Sequence, residues 1–205
     1  MTKIKVTYFD IDGGRGEPIR LILHCAGQSF EDNRFPFSEF AEVRKSTPFG
    51  QVPTVEFDGE QITQSNALCR YFGKQAGLYP EDEYQALLCD EVMDVVEDVT
   101  NKLVATFRLK GDALKAAREK LVAGPFTMYL RWLEARLVKQ GGEYFADKRL
   151  TIADIKSFIF TRSLGLGHLD HIPTTLVADV APHLFAHIGF ISKHPKISAY
   201  YDGRK

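Results

Sequence analysis

A small α/β layer followed by an all-helical domain is the fold class that this 205-residue chain predicts. Three observations predict it. Strand-like and helix-like runs alternate through the first 80 residues, and no convincing strand signal follows Leu78-Tyr79-Pro80. The composition, 44% hydrophobic and 26% charged, is that of a globular protein rather than a disordered or fibrous one. At about 100–200 residues per domain the length suits one large domain or two small ones. The change of pattern puts the boundary at 78–84, with domains at 1–79 and 84–205.

Ile4 to Phe9 is a β-branched and aromatic run, hence a strand. The loop Ile-Asp-Gly-Gly-Arg-Gly-Glu-Pro follows, and Pro18 suits the first turn of a helix because its missing N–H has no partner there anyway. Ile19, Ile22, Leu23 and Ala26 repeat at helical spacing, and Gly27 fits the stop. Ser29 to Phe35 is a weaker strand, and Ser38 to Lys45 a short helix capped by Ser38. Asp58-Gly59 between Thr54–Phe57 and Gln61–Thr63 signals a hairpin. Ser65 then caps a helix that runs to Gln75. The order β-α-β-α-β-β-α needs a parallel pair with a crossover helix and an antiparallel hairpin.

Beyond residue 80, Leu88, Val92, Val95, Val99, Leu103 and Phe107 make one stripe of a long helix. A second long helix spans about Asp112 to Gln140, broken or kinked at Gly124-Pro125 and ended by Gly141-Gly142. Thr151 to Gly165 is a third, opened by Thr151-Ile-Ala-Asp154, a capping-box spacing with Leu150 and Ile155 as a hydrophobic staple. Short helices follow near 174–180, 183–193 and 195–201.

Charge and cysteine usage exclude several function classes. Lys+Arg 26 against Asp+Glu 27 leaves a net charge of -1, without the basic footprint of a nucleic-acid binder. Three cysteines, Cys25, Cys69 and Cys89, form no C-x-x-C pair and support neither a disulfide framework nor structural zinc. The six histidines show no metal spacing. No apolar run reaches the ~18–20 residues that cross a bilayer, and the start carries no secretory signal. The expectation is a reduced, soluble, cytoplasmic protein with no metal, nucleic-acid or membrane partner.

The chemistry-bearing residues gather in the first 80. Gly-Gly-Arg-Gly-Glu-Pro matches neither dinucleotide nor P-loop patterns, so Arg15 is set to meet an anionic ligand or an ion pair. Tyr8 ends the first strand, where ligands collect in crossover sheets and where a phenol can donate to an anion; plain packing is its structural alternative. Val52-Pro53 just before a strand is odd for proline, and a cis peptide accounts for it while exposing the Val52 backbone to an extended ligand. Gln64-Ser65 open a helix, whose free N–H groups and dipole suit a carboxylate. Together these describe a site for an extended peptide with a terminal carboxylate.

The strings VTYFD, GGRGEPIRLIL, PFGQVPTVEFDG, TQSNALCRYF and LTIADI, spread over both domains, resemble the cytosolic glutathione transferases, closest to the sigma-like class and its mu and pi relatives. The resemblance implies a thioredoxin-like N-terminal domain, a helical C-terminal domain carrying much of the electrophile pocket, and a homodimer. It implies that Tyr8 is catalytic and donates to the sulfur of glutathione. Gln51, Val52 and Pro53 match the segment that pairs with the cysteinyl backbone, and Gln64 and Ser65 match the holders of the γ-glutamyl carboxylate. Arg44 stands where the family often has a lysine near the glycyl carboxylate. Phe40 stands where sigma-like members usually have tryptophan, and so lacks an N–H donor. The loop bearing Arg15 is one residue longer than in typical sigma sequences. Asp98, the last of eight acidic residues from Glu81 on, resembles the group that reaches the γ-glutamyl amine across the dimer interface. Phe49 resembles an aromatic that some classes insert into the partner subunit, with local packing as its alternative.

Two partners are therefore expected: glutathione as co-substrate, and a hydrophobic electrophile walled by Phe9, Ile11, Phe107 and C-terminal residues. Conjugation of glutathione to apolar electrophiles in detoxification is the implied reaction. A glutathione-dependent, prostaglandin-type isomerase shares the same site, and a non-catalytic ligand-binding or structural relative is the third reading. A thioltransferase would carry cysteine where Tyr8 stands.

Overall fold

In a computed structural model, which describes residues 3–203, the chain divides into two compact units. The first holds the chain up to Tyr79 together with the stretch from Ala199 on, and the second is Pro80–Ser198.

The first unit is built on a four-stranded sheet. Strand β1 (Ile4–Phe9) buries Ile4, Val6 and Tyr8 and leaves Lys5, Thr7 and Phe9 half-exposed, the period of two that a half-covered strand requires. Helix α1 (Glu17–Cys25) carries the chain to β2 (Glu31–Phe35), which lies parallel to β1. Strands β3 (Thr54–Phe57) and β4 (Glu60–Ile62) form the hairpin, and β3 pairs antiparallel with β1, giving the order β2-β1-β3-β4. The hairpin turn has φ of 46° at Asp58 and 94° at Gly59, the two positive angles that match the twist of paired strands. Helix α3 (Ser65–Gln75) packs beside α1.

Two local expectations change here. The segment after β2 is not one capped helix. It is a chain of short turns around the four-residue α2 (Phe40–Val43), with 3-10 turns at Phe37–Glu39, Arg44–Ser46 and Pro48–Gly50. Proline at 36 and 48 and a left-handed Phe49 (φ 59°) interrupt any longer helix, and Ser38 caps none of these turns. At α3 the cap position belongs to Gln64, and Ser65 is the first helical residue.

In the second unit, α4 (Glu83–Val104) is capped by Asp82, whose Oδ1 accepts the Gln85 N–H at 2.9 Å. Its buried stripe runs Leu88, Val92, Val96, Val99, Leu103, widened by Cys89 and Met93. Val95 is only half-buried, and Phe107, expected on the same stripe, lies past the helix end and is 55% exposed. Helices α5 (Gly111–Leu121) and α6 (Thr127–Lys139) are joined by one π-helical turn, Val122–Phe126, holding Gly124-Pro125. Pro125 has no N–H to continue the α ladder, so the turn widens, and the Thr127 hydroxyl donates to the Val122 carbonyl five residues back at 2.7 Å.

Helix α7 (Ile152–Gly165) is buried along most of its length, between α4 and α9 (Pro182–Ser192). Its capping box is formed: the Thr151 N–H and hydroxyl each donate to Asp154 Oδ2 at 2.8 Å, and Asp154 Oδ1 accepts the Phe145 N–H at 2.9 Å. Helices α8 (Leu176–Val180) and α10 (Pro195–Asp202) complete the described chain. Cys69 and Cys89 are buried and Cys25 partly so, and burial pushes the Cys89 thiol up to about 12. No helix among the described residues is long and apolar enough to cross a membrane.

Candidate active site

Strand pairing gathers most of the sequence-predicted site residues at one end of the sheet. Thr7 faces Thr54, so Tyr8 and Pro53 are the next residues along on neighbouring strands. Val55 faces Ile62, so the chain leading to Gln64 and Ser65 leaves β4 at that same end. On the other flank Tyr8 faces Arg34 and Phe9 faces Phe35, and the turns holding Phe40 and Arg44 begin there.

Tyr8 points inward by the alternation of β1 and is 6% exposed. Its hydroxyl oxygen accepts the backbone N–H of Arg15 at 3.0 Å. The loop reaches that close because it is glycine-rich. Gly14 has φ of 63°, and a Cβ there would collide with the Tyr8 hydroxyl; a Cβ on Gly16 would fall within 3 Å of the ring. Arg15 was expected to meet an anionic ligand or an ion pair; the structure places its main-chain amide on Tyr8. Below the ring lies Arg20, 0% exposed, with its guanidinium 5.7 Å from the ring centre. Arg20 is fixed by Asp32 Oδ1 (2.7 Å), Glu17 Oε2 (3.3 Å) and the carbonyls of Ile11 (3.0 Å) and Phe9 (3.2 Å), all accepting from it. Buried Glu17 is pushed up to about 7, first by desolvation, then by Asp12, against the pull of Arg20 and Arg34.

The peptide between Val52 and Pro53 is cis, as the odd placement of that proline suggested. Gln51, just before it, is extended and exposed. Gln64 holds φ of 70° at the start of α3 and is exposed, Ser65 is buried, and no side chain caps the helix. Its first N–H groups therefore carry no side-chain acceptor from the cap residue, the arrangement in which a carboxylate finds donors and a favourable dipole.

Phe40 sits in an aromatic cluster, 5.1 Å from Phe9 and 6.4 Å from Phe35, with Phe37 stacked on Phe9 at 4.5 Å. The Arg44 guanidinium lies 5.4 Å over the Phe40 ring and runs past Gly50, toward the Gln51 segment. Asp98 belongs to the second unit, exposed on α4. Sequence reasoning missed Arg20. Its only signal was the spacing from Glu17, three residues apart on a helix, which reads as an ordinary surface pair.

Family models cover both units. One described as "Glutathione S-transferase, N-terminal domain" matches residues 4–74, and one described as "Glutathione S-transferase, C-terminal domain" matches 97–204. The chain belongs to the glutathione S-transferase family. It is 39% identical over 170 residues to Glutathione S-transferase 1 of Ascaris suum, covering 80% of each chain. The solved structure of prostaglandin synthase D of Nilaparvata lugens superposes with a TM-score of 0.87 at 31% identity over 99% of both chains. A monomeric glutathione S-transferase of the hookworm Necator americanus, Na-GST-3, gives 0.77 at 27% identity over 99% of this chain and 98% of that one. The order of strands and helices in the first unit is thus that of the family's N-terminal domain, and the helical second unit that of its C-terminal domain. Among the described residues no group of three or more His, Cys, Asp or Glu side chains is placed to hold a metal ion.

Proposed function

We propose that this glutathione S-transferase binds glutathione at the sheet end around Tyr8 and joins its sulfur to an apolar electrophile. The observation that carries the reading is the Tyr8 hydroxyl, buried at the end of β1 and already accepting the Arg15 N–H. A phenol both accepts and donates, and accepting one bond strengthens the other. Its hydrogen goes to the glutathione sulfur. A free thiol ionises near 8.5, so lowering that value by about two units takes roughly 2.7 kcal/mol of preferential stabilisation of the thiolate. One hydrogen bond to an ion supplies about 1.5–3 kcal/mol, which makes a single phenol nearly sufficient. The thiol proton leaves to solvent. The sulfur then forms its bond to the electrophilic carbon as the leaving group departs with its electron pair or, in an addition, as the pair moves onto the acceptor.

Glutathione lies with its cysteinyl backbone along Gln51, Val52 and Pro53, its γ-glutamyl carboxylate at Gln64 and Ser65, and its glycyl carboxylate toward Arg44. Phe40 contributes an apolar wall and no donor. Arg15 holds Tyr8 through its amide. Residues 1–79 form the glutathione-binding domain and 84–205 carry much of the electrophile pocket. Asp98 reaches the γ-glutamyl amine of a partner subunit in a homodimer, and the enzyme detoxifies electrophiles in the cytoplasm. Tyr8→Phe tests the central assignment: glutathione binding is retained, while the bound thiol ionises about two units higher and conjugation of a model aryl halide at neutral pH falls by about 10–100-fold. An unchanged thiol ionisation in that variant overturns the role of Tyr8.

A second reading is favoured by one observation, the 31% identity to the prostaglandin synthase D of Nilaparvata lugens. The same bound thiolate would serve isomerisation of a lipid endoperoxide. Incubating the protein with glutathione and a prostaglandin endoperoxide separates the two: an isomer with glutathione recovered supports isomerisation, and a glutathione adduct supports transfer.

A further inference from the structure

We propose that Tyr200 is a positioning residue for Tyr8, holding Glu17 and, through it, the loop that grips the phenol; this rests on Tyr8 being the donor to the glutathione sulfur. Helix α1 starts at Glu17, one residue after Gly16, whose Cα lies against the Tyr8 ring, and two after Arg15, whose N–H meets the Tyr8 hydroxyl. Where Glu17 sits therefore sets where the grip sits. Its carboxylate is fully buried, within 3.3 Å of Arg20 Nη1 and 3.7 Å of Arg34 Nη2. The remaining hold comes from the far end of the chain: the Tyr200 hydroxyl is hydrogen-bonded to Glu17, and Tyr200 is itself 6% exposed.

The Tyr200 ring also meets His24 edge-on at 5.3 Å, so one side chain touches the first residue of α1 and its last turn. Arg20, between them on α1, ties the helix to Asp32 of β2 and to the Phe9 and Ile11 carbonyls beside Tyr8. Any shift of α1 along its axis is thus passed to the residues on both sides of the phenol. Desolvation and then Asp12 raise Glu17 against the pull of Arg20, Tyr200 and Arg34, and desolvation likewise raises Tyr200, as expected for a contact that water does not enter.

Tyr200→Phe removes the hydroxyl and little else. In protein free of glutathione, the Arg15 amide then exchanges with solvent about tenfold faster, and Tyr8, followed by carbon-13 tyrosine labelling and assigned by its absence in Tyr8→Phe, ionises at higher pH. With glutathione and an aryl halide, kcat falls while KM for glutathione holds, because the carboxylate-binding residues are untouched. If Tyr200→Phe lowers the thermal midpoint yet leaves Arg15 exchange and Tyr8 ionisation as in the native protein, Tyr200 merely stabilises the fold and the proposal is overturned. Should that variant fail to fold, Glu17→Gln weakens the same contact from the other side, and an Arg15 amide that exchanges no faster there overturns the proposal equally. An Arg15 amide and Tyr8 that respond, in a protein that conjugates nothing, would leave the positioning role standing and remove the conjugation reading instead.

Discussion

Gly16 is dictated by the ring it faces. An alanine there puts a methyl carbon inside contact distance of Tyr8 ring atoms and Cβ, so either the loop or the phenol must move. Gly13, three residues earlier, has nothing within 4 Å of the same hypothetical carbon. Gly16→Ala should therefore lower kcat for aryl halide conjugation by about 100-fold, the cost of roughly 1 Å of misplacement. Gly13→Ala should stay within a few-fold of native, and far-ultraviolet dichroism should show both variants folded. Glu17 carries a second consequence. Its folded value is raised from 4.5 to about 7, so protonation favours the native state: the contribution is fully present below 4.5 and is lost as pH rises through 7. Urea titrations should show native protein losing roughly 3 kcal/mol across that window relative to Glu17→Gln, which cannot titrate. Equal pH slopes would show that Glu17 ionises normally. Tyr8 was legible in the sequence because a strand alternation and a glycine loop are local patterns. Arg20 and Tyr200 were not, because nothing in a sequence says that two residues 180 positions apart close on the same carboxylate, and charged side chains are exposed by default.

At the scale of the element, local chemistry decides what can be read in advance. The Thr151–Asp154 spacing announced its cap because both partners lie within one turn. Asp154 does more than cap, since its second oxygen accepts the Phe145 N–H from outside the helix, and His187 Nε2 lies 3.4 Å away. Asp154→Ala would strand three buried donor groups, and at about 1–3 kcal/mol for each unmet group it should destabilise by roughly 3 kcal/mol or more. Denaturant unfolding followed by dichroism measures it, and a loss under about 1 kcal/mol would show that water replaces the carboxylate. The start of α3 was read one residue late, at Ser65. Serine is a preferred cap, but here the backbone at Gln64 turns to positive φ and takes the position without any side-chain acceptor. The 37–50 turns escaped for a similar reason: proline placement and a left-handed phenylalanine override helical propensity over stretches too short to show a period. The stripe of α4 was placed correctly at Leu88, Val92, Val99 and Leu103, with Val95 expected where Val96 is buried, and Phe107 was added because a 3.6-residue period has no way to register where the helix stops.

For the whole molecule, the open question with a direct answer is assembly. Phe49 stands 76% exposed on a left-handed backbone, and α4 carries a run of carboxylates that includes exposed Asp98. Both features suit a two-fold contact with a second copy, which buries one patch reciprocally. Sedimentation at micromolar concentration should give twice the 23.1 kDa chain mass, and Phe49→Ser should shift it toward the monomer. A native protein that sediments as a monomer, like its Necator americanus relative Na-GST-3, would leave Asp98 without a partner site. The tightness of the glycine loop has a further bearing on when disorder is lost. A tyrosine side chain free in water samples several rotamers, and ordering it opposes whatever step does the ordering. Here the collapse of Gly14 and Gly16 onto the ring does so once, as the chain folds. Under the role proposed for Tyr8, a reactant that later meets the hydroxyl would find it already in one orientation, so the entropy of aligning it would be absent from every turnover and belong instead to the stability of the fold.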